Sequence, residues 1–158
     1  MTRNKIHIDI HNAVESDAAE LLEIQKLAFH QQGALYNDFM LPPLVQTLEE
    51  LIRDFNRHAI LKAVYDGKIV GSVRGRAEGD TCLISRLMVH PDYQNRGIGK
   101  ELMYAIENKF NSVLRYELFT GHKSEKNLAL YGKLGYFKYK EKPQGDTVTL
   151  ICMEKRKA

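Results

Sequence analysis

The segment Val89-His90-Pro91-Asp92-Tyr93-Gln94-Asn95-Arg96-Gly97-Ile98-Gly99-Lys100 has the residue types of an anion site. A strand-like run, Leu83 to Val89, enters a glycine-rich bend, and helical periodicity opens directly on that bend. The first N–H groups of a helix lack partners within the helix and stand at the positive end of its dipole, so they attract phosphate. Gly97 and Gly99 carry no Cβ to hold a phosphate off the backbone, and Arg96 and Lys100 add positive charge beside it. A Walker A loop would need Gly in place of Gln94 and Ser or Thr in place of Glu101. A dinucleotide fingerprint would need Gly in place of Leu102, on a different order of elements. Both fail. A glycine pair also suits a bare strand-to-helix turn, so the bend by itself does not name a ligand. Further along, Asn127 and Tyr131 stand four apart in a run that reads as a short helix. That spacing puts both on one face, directed into one cleft.

The pattern Q-x-x-G-x-G after a strand, Gln94 to Gly99, resembles motif A of the GNAT family of N-acetyltransferases. The run from Asn127 through Tyr131, Lys133 and Gly135 to Tyr136 is similar to that family's other hallmark, N-x-x-x-Y-x-K-x-G-F/Y. The resemblance covers nearly the whole chain and is sharpest from Ile84 to Tyr136. It implies acetyl-CoA as cosubstrate and no metal. The backbone of Gln94, Asn95, Arg96, Gly97, Ile98, Gly99 and Lys100 would take its pyrophosphate. The Ile84-to-Val89 strand would splay from the Val113-to-Phe119 strand and admit the pantetheine arm. Backbone groups at Leu87, Met88 and Val89 would pair with that arm and polarise the thioester carbonyl. Asn127 would hydrogen-bond the pantetheine or fix its own helix.

Acyl transfer also needs a proton for the leaving thiolate and a neutral amine. Tyr131 is expected as the general acid, since a phenol is protonated near neutral pH. Many relatives carry a glutamate on or near the strand before motif A, but Leu83 to Val89 holds no carboxylate. Histidine is a common general base, and His122 is the candidate taken for that role, with Glu78, Glu117 and Asp38 as others. Lys123 and Ser124 either meet the adenosine 3′-phosphate or cap the helix that follows. In the family, the region between the first two strands walls the acceptor site. Here Asp38 is expected to hold an ammonium and Tyr36 to stack on a cation.

The elements that position these groups follow from periodicity. Ile6 to His11 alternates as a strand with one wet face, and this explains His7, Asp9 and His11 without a metal. Asp17 to Glu20 has capping-box spacing, with Leu21, Ile24 and Ala28 on one helical face. Gly33 to Pro43 reads as a loop, and Thr47 to Glu50 as a second capping box. Ala59 to Tyr65 and Lys68 to Glu78 flank the hairpin dipeptide Asp66-Gly67. After Leu83 to Val89 come a helix from Ile98 to Phe110, a strand from Val113 to Phe119 and a helix from Asn127 to Leu134. Strands Phe137 to Glu141 and Thr147 to Met153 close the chain. The expectation is one α/β domain over residues 1–158. It has a mixed, mostly antiparallel central sheet with helices on both faces, which the resemblance identifies as the acyl-CoA N-acyltransferase fold.

The 158 residues are 44% apolar and 27% charged, which excludes a disordered chain. Net charge is 23 − 20 = +3, compatible with an anionic ligand but too small to indicate nucleic acid. No apolar run reaches transmembrane length, and Met1 to Lys5 does not open a secretory signal, so a cytoplasmic protein is expected. Cys82 and Cys152 lie in apolar strand-like runs, as buried reduced thiols do. The function expected is transfer of an acetyl group from acetyl-CoA to a primary amine of a small molecule, by direct attack on the thioester. A peptide acceptor, as for a protein N-terminal acetyltransferase, and a non-catalytic acyl-CoA-binding or regulatory domain are the alternatives. No nucleic acid or membrane partner is expected, and a homodimer stays open.

Overall fold

The structure is a computed structural model and describes residues 6–157. The reading of Met1 to Lys5 lies outside the described residues. Seven strands form one sheet in the order β1-β2-β3-β4-β5-β7-β6. These are β1 (Asp9–Asn12), β2 (Ala59–Tyr65), β3 (Lys68–Glu78), β4 (Thr81–Val89), β5 (Arg115–Gly121), β6 (Phe137–Gln144) and β7 (Val148–Arg156). Every neighbouring pair is antiparallel except β4 with β5. The helices are α1 (Ala18–Tyr36), α2 (Pro42–Val45), α3 (Leu48–Asp54), α4 (Ile98–Lys109) and α5 (Glu125–Lys133). One face of the sheet packs Leu61, Val73, Cys82 and Leu118 against Ile98, Leu102 and Ile106 of α4 and Tyr131 of α5. The other packs Ile60, Ile69 and Met88 against Leu21 and Ile24 of α1 and Leu51 of α3. This is the mixed, mostly antiparallel sheet with helices on both faces.

Several local signals act as their chemistry dictates. Asp66 and Gly67 both adopt positive φ, 51° and 75°, which a two-residue hairpin requires. The Thr47 hydroxyl accepts from the Glu50 N–H at 3.2 Å while the Glu50 carboxylate accepts from the Thr47 N–H at 2.8 Å, closing the capping box. Gly135, at φ 96°, ends the segment after α5. Cys82 and Cys152 are buried and unbridged. Burial pushes the Cys82 thiol up to about 12.

Four expectations need correction. Gly33 to Pro43 is not a continuous loop: α1 runs through Gly33 to Tyr36, and Pro42–Val45 forms the short α2. A Cβ on Gly33 would meet the Phe39 ring, so this glycine makes room for a packed side chain rather than ending the helix. Asp17 does not close a capping box with Glu20. Its Oδ2 accepts from the Val14 N–H and from Lys62 Nζ, both at 2.9 Å, while Glu20 accepts from the Ile69 N–H on β3. Strand β1 begins at Asp9 rather than Ile6, because Asp9 already faces Val64 and β2 ends one residue later at the hairpin. Strand β5 is displaced to Arg115–Gly121 from the expected Val113 to Phe119.

Candidate functional site

Strands β4 and β5 pair over only three positions, Thr81 to Leu83 against Arg115 to Glu117. Beyond them β5 continues along β7 while β4 continues along β3, so the two strands part and leave a gap in the sheet. A bulge in β4 goes with this divergence. Ser72 faces Met88 and Arg74 faces Ser85, so Arg86 and Leu87 together oppose Val73. Arg86 takes φ 52°, a left-handed conformation uncommon for a residue with a Cβ. The extra residue inverts the alternation of the strand. Cys82 and Ile84 face α4 before the bulge, whereas Met88 faces α1 after it.

The gap opens into a cleft of about 630 Å³. It is lined from one side by Asn127 and Tyr131 of α5 and from the other by Phe29, Gln32 and Tyr36 of α1. Leu83 to Leu87 of β4 and Glu117 to Gly121 of β5 form the rims between them. A through-sheet opening of this kind suits a linear ligand entering from one face and a second reactant arriving from the other.

Tyr131 is 5% exposed and lines the cleft, with Asn127 one helical turn before it. Burial raises its phenol well above the usual tyrosine range, which keeps the proton on the oxygen at any working pH. Asn127 Nδ2 donates to Thr120 Oγ1 at 3.4 Å, tying α5 to β5. Tyr36 also lines the cleft, but as the last residue of α1. It is buried, its hydroxyl meets Ser124 Oγ at 2.9 Å, and the Lys123 N–H donates to it at 2.9 Å. These bonds make Tyr36 a clamp between α1 and the start of α5 as well as a wall. Ser124 Oγ donates to Gln32 Oε1 at 2.7 Å and makes no capping bond to α5, so the expected helix cap is replaced by this cluster.

Asp38 does not line the cleft. Its carboxylate accepts from the Met40 N–H at 2.9 Å and from the Thr147 hydroxyl, which ties it to the loop and the approach to β7. His122 lies outside the cleft lining and is exposed; its Nδ1 accepts from the Thr149 N–H at 3.0 Å, and its ring packs 5.5 Å from that of Tyr36. Glu78 is exposed at the far end of β3, where it pairs with Arg76 at 2.8 Å. Of the four groups weighed as a base, only Glu117 lines the cleft, at the last paired position before β4 and β5 part. It is 3.4 Å from Arg115.

The glycine-rich bend lies at the mouth of the gap. Asn95 and Gly97 adopt φ 64° and 84°, and α4 begins at Ile98. The first bond within the helix runs from the Glu101 N–H to the Gly97 carbonyl at 3.1 Å, leaving the amides of Ile98, Gly99 and Lys100 without helical partners. A Cβ on Gly99 would come no closer than 3.6 Å to Leu130 and 3.9 Å to Leu87 and Val89. The protein's own packing therefore does not demand glycine there. A phosphate resting on these amides would. Arg96 lies 5.7 Å from the Tyr93 ring centroid, and its buried Nε has no hydrogen-bond partner among the described residues. Gln94 also acts through its side chain. Its side-chain amide donates to the Val89 carbonyl at 3.1 Å and to Gln31 at 3.2 Å, so it shapes the bend and takes up the carbonyl of Val89. Met88 points its side chain into the α1 core, and β4 pairs with β5 only as far as Leu83, so the edge of β4 along Leu87 and Met88 has no pairing with β5.

Residues 19–136 match the Acetyltransferase (GNAT) family. The chain belongs to this family. An acetyltransferase of Pectobacterium atrosepticum is 32% identical over 98 residues, 61% of this chain and 63% of that protein. The chain spans less than two thirds of the length of the curated relatives it matches. Among solved GNAT folds, the PaiA N-acetyltransferase of Thermoplasma acidophilum, in complex with coenzyme A, superposes with TM-score 0.76 at 19% identity. That match covers 96% of this chain and 100% of the other. YncA of Salmonella typhimurium, a putative acetyltransferase with its cofactor acetyl-CoA, gives 0.75 at 17% identity over 96% of this chain and 94% of the other. At these identities the likeness establishes the GNAT fold. Among the described residues no group of histidine, cysteine or carboxylate side chains could hold a metal, and no helix is long and apolar enough to cross a membrane.

The sequence reading missed the basic floor of the cleft. Arg74, Arg76 and Arg86 all line it, and the readable signal was cations interrupting otherwise apolar strands.

Proposed function

We propose that the protein transfers the acetyl group of acetyl-CoA to a primary amine of a small molecule by direct attack on the thioester. The observation that carries this reading is the gap between β4 and β5, with free helix-start amides at its mouth and a buried protonated tyrosine inside it. Amides 98–100 receive the pyrophosphate, and the Leu87 and Met88 edge of β4 holds the pantetheine arm. One N–H of that edge stabilises the charge that develops on the carbonyl oxygen. The amine nitrogen bonds to the carbonyl carbon, the C–S bond breaks, and Tyr131 gives its proton to the departing sulfur. The proton lost by the amine passes to Glu117 through water, and Tyr131 recovers a proton from solvent through the cleft. Tyr36, Leu41 and Pro43 wall the acceptor side of a cleft of about 630 Å³, a size that supports a compact amine over a protein segment.

The test is coenzyme A release, read with a thiol reagent, for a panel of small amines with wild type and Tyr131→Phe. Amine-dependent release that falls at least about 100-fold in kcat in the variant, with little change in the KM for acetyl-CoA, supports the reading. Binding of acetyl-CoA without turnover of any amine would leave a non-catalytic acyl-CoA-binding domain in its place.

A further inference from the structure

The α1-side floor of the cleft is cationic, and its charges are unequally neutralised. Arg74, Ser85, Arg86 and Arg76 share this face of β3 and β4, because Val73 points to the α4 side and the bulge turns Arg86 the other way. Arg74 is 4% exposed and ion-paired. Its Nη1 meets Asp54 Oδ2 at 2.5 Å; Gln46 donates to the same oxygen at 2.7 Å, and buried Gln25 donates to Gln46 at 2.9 Å. Arg76 is paired with Glu78. Arg86 has no such partner. No ion pair reaches it among the described residues, and its Nε is buried without a hydrogen bond. Burial and the neighbouring charge of Arg74 push its guanidinium down to about 10, still charged at neutral pH. Lys140 and Lys142 of β6 add two further cations to the lining, whereas both lining carboxylates, Asp54 and Glu117, are already held by arginines.

Arg86 is half-buried, and its buried Nε–H, left without an acceptor, costs free energy unless something supplies one. A planar fork of N–H donors matches an oxyacid group that can accept two parallel bonds. We infer that the acceptor is a small amine that also carries an anionic oxyacid group, a carboxylate or a phosphate, and that Arg86 holds that group on the α1 side of the cleft. The inference rests on the acetyltransferase reading and names the substrate class of its acceptor site. A cationic floor also disfavours the ammonium form of the bound acceptor, so the same residues that hold its anion help present a neutral nitrogen. A polyamine, with positive charges only, would be repelled.

The test uses matched amines: an α-amino acid, its methyl ester, the amine left by removing its carboxylate, and phosphoethanolamine against ethanolamine. The carboxylate or phosphate member of a pair is expected to exceed the partner lacking that group at least tenfold in kcat/KM. Arg86→Gln should abolish most of that preference, lowering kcat/KM for the anionic member roughly 100-fold, while the Kd for acetyl-CoA stays within about twofold. Arg86→Lys keeps a charge without the fork and should retain part of the preference. Which pair responds more separates a carboxylate from a phosphate. The same pairs are titrated calorimetrically into the protein with coenzyme A and without it, so the comparison does not depend on turnover. Equal binding of members with and without the anionic group, or a preference that Arg86→Gln leaves intact, overturns the inference alone. Failure to bind acetyl-CoA overturns the acetyltransferase reading, and the titrations without coenzyme A still decide the anion preference.

Discussion

Replacing Gly99 with alanine should move stability and cofactor affinity in opposite directions. Gly99 is the second residue of α4, and the added methyl would meet Leu130, Leu87 and Val89 at 3.6–3.9 Å, ordinary contact distances. Alanine exceeds glycine in helix propensity by about 1 kcal/mol in a helix interior, and by roughly half that in a first turn. For a domain of this size the first-turn value corresponds to a rise in Tm of about 1–2 °C. The same methyl stands beside the amides of Ile98, Gly99 and Lys100, over the mouth of the gap. A hydrogen bond to a charged group contributes about 1.5–3 kcal/mol, so displacing one phosphate contact weakens the Kd for acetyl-CoA roughly 10- to 150-fold. Thermal melts and calorimetric titrations on one preparation read both quantities. A higher Tm with unchanged affinity would mean that the bend is only a turn and that no phosphate rests on it. A lower Tm would mean that the space around Gly99 has been misjudged.

Further outcomes follow from the same geometry. Tyr131→Phe should lower kcat, and the wild-type kcat at saturating acceptor should show no alkaline fall at the phenol's ordinary value, because burial raises it. A fall in kcat centred there would point to an exposed acid, whereas loss of the Arg86 charge near pH 10 acts on kcat/KM. Burial works against the charge of Asp54, but the bonds from Arg74 and Gln46 outweigh it and hold its carboxyl below the ordinary value. Its contribution to stability is therefore present above the ordinary aspartate range and lost as pH falls through the lowered folded value, which urea melts between pH 6 and pH 2 would resolve. Asp54→Asn leaves the buried Arg74 charge uncompensated and should cost about 3 kcal/mol by urea denaturation; a loss near zero would show that water reaches Arg74. Gly121→Ala would drive a Cβ into the Tyr36 hydroxyl and should cost about 1–3 kcal/mol, with α1 and the start of α5 losing hydrogen-exchange protection together.

Much of the site was legible because it depends on local chemistry. A glycine bend at a helix start, a tyrosine four residues after an asparagine, and Asp66-Gly67 between alternating runs each act through backbone geometry that the sequence specifies directly. The order of the elements followed from periodicity for the same reason. What failed were features decided by distant partners. Gly33 looked like the start of a loop, yet it sits inside α1, where the Phe39 ring occupies the space a Cβ would need. Asp38 looked free to meet an ammonium, yet Thr147, more than a hundred positions away, takes its carboxylate. Ser124 looked like a cap, yet it closes a cluster with Gln32 and Tyr36. The bulge at Arg86 depends on the pairing of two strands, and no local pattern in Ile84 to Val89 marks it.

The most direct measurement is a crystal structure of the protein with acetyl-CoA. The account predicts pyrophosphate oxygens within hydrogen-bonding distance of the amides of Ile98 to Lys100 and the pantetheine along Leu87 and Met88. The thioester sulfur should lie within reach of the Tyr131 hydroxyl, with Arg86 on the opposite side of the acetyl group. A thioester lying outside the gap between β4 and β5, or a Tyr131 hydroxyl directed away from the sulfur, would contradict it.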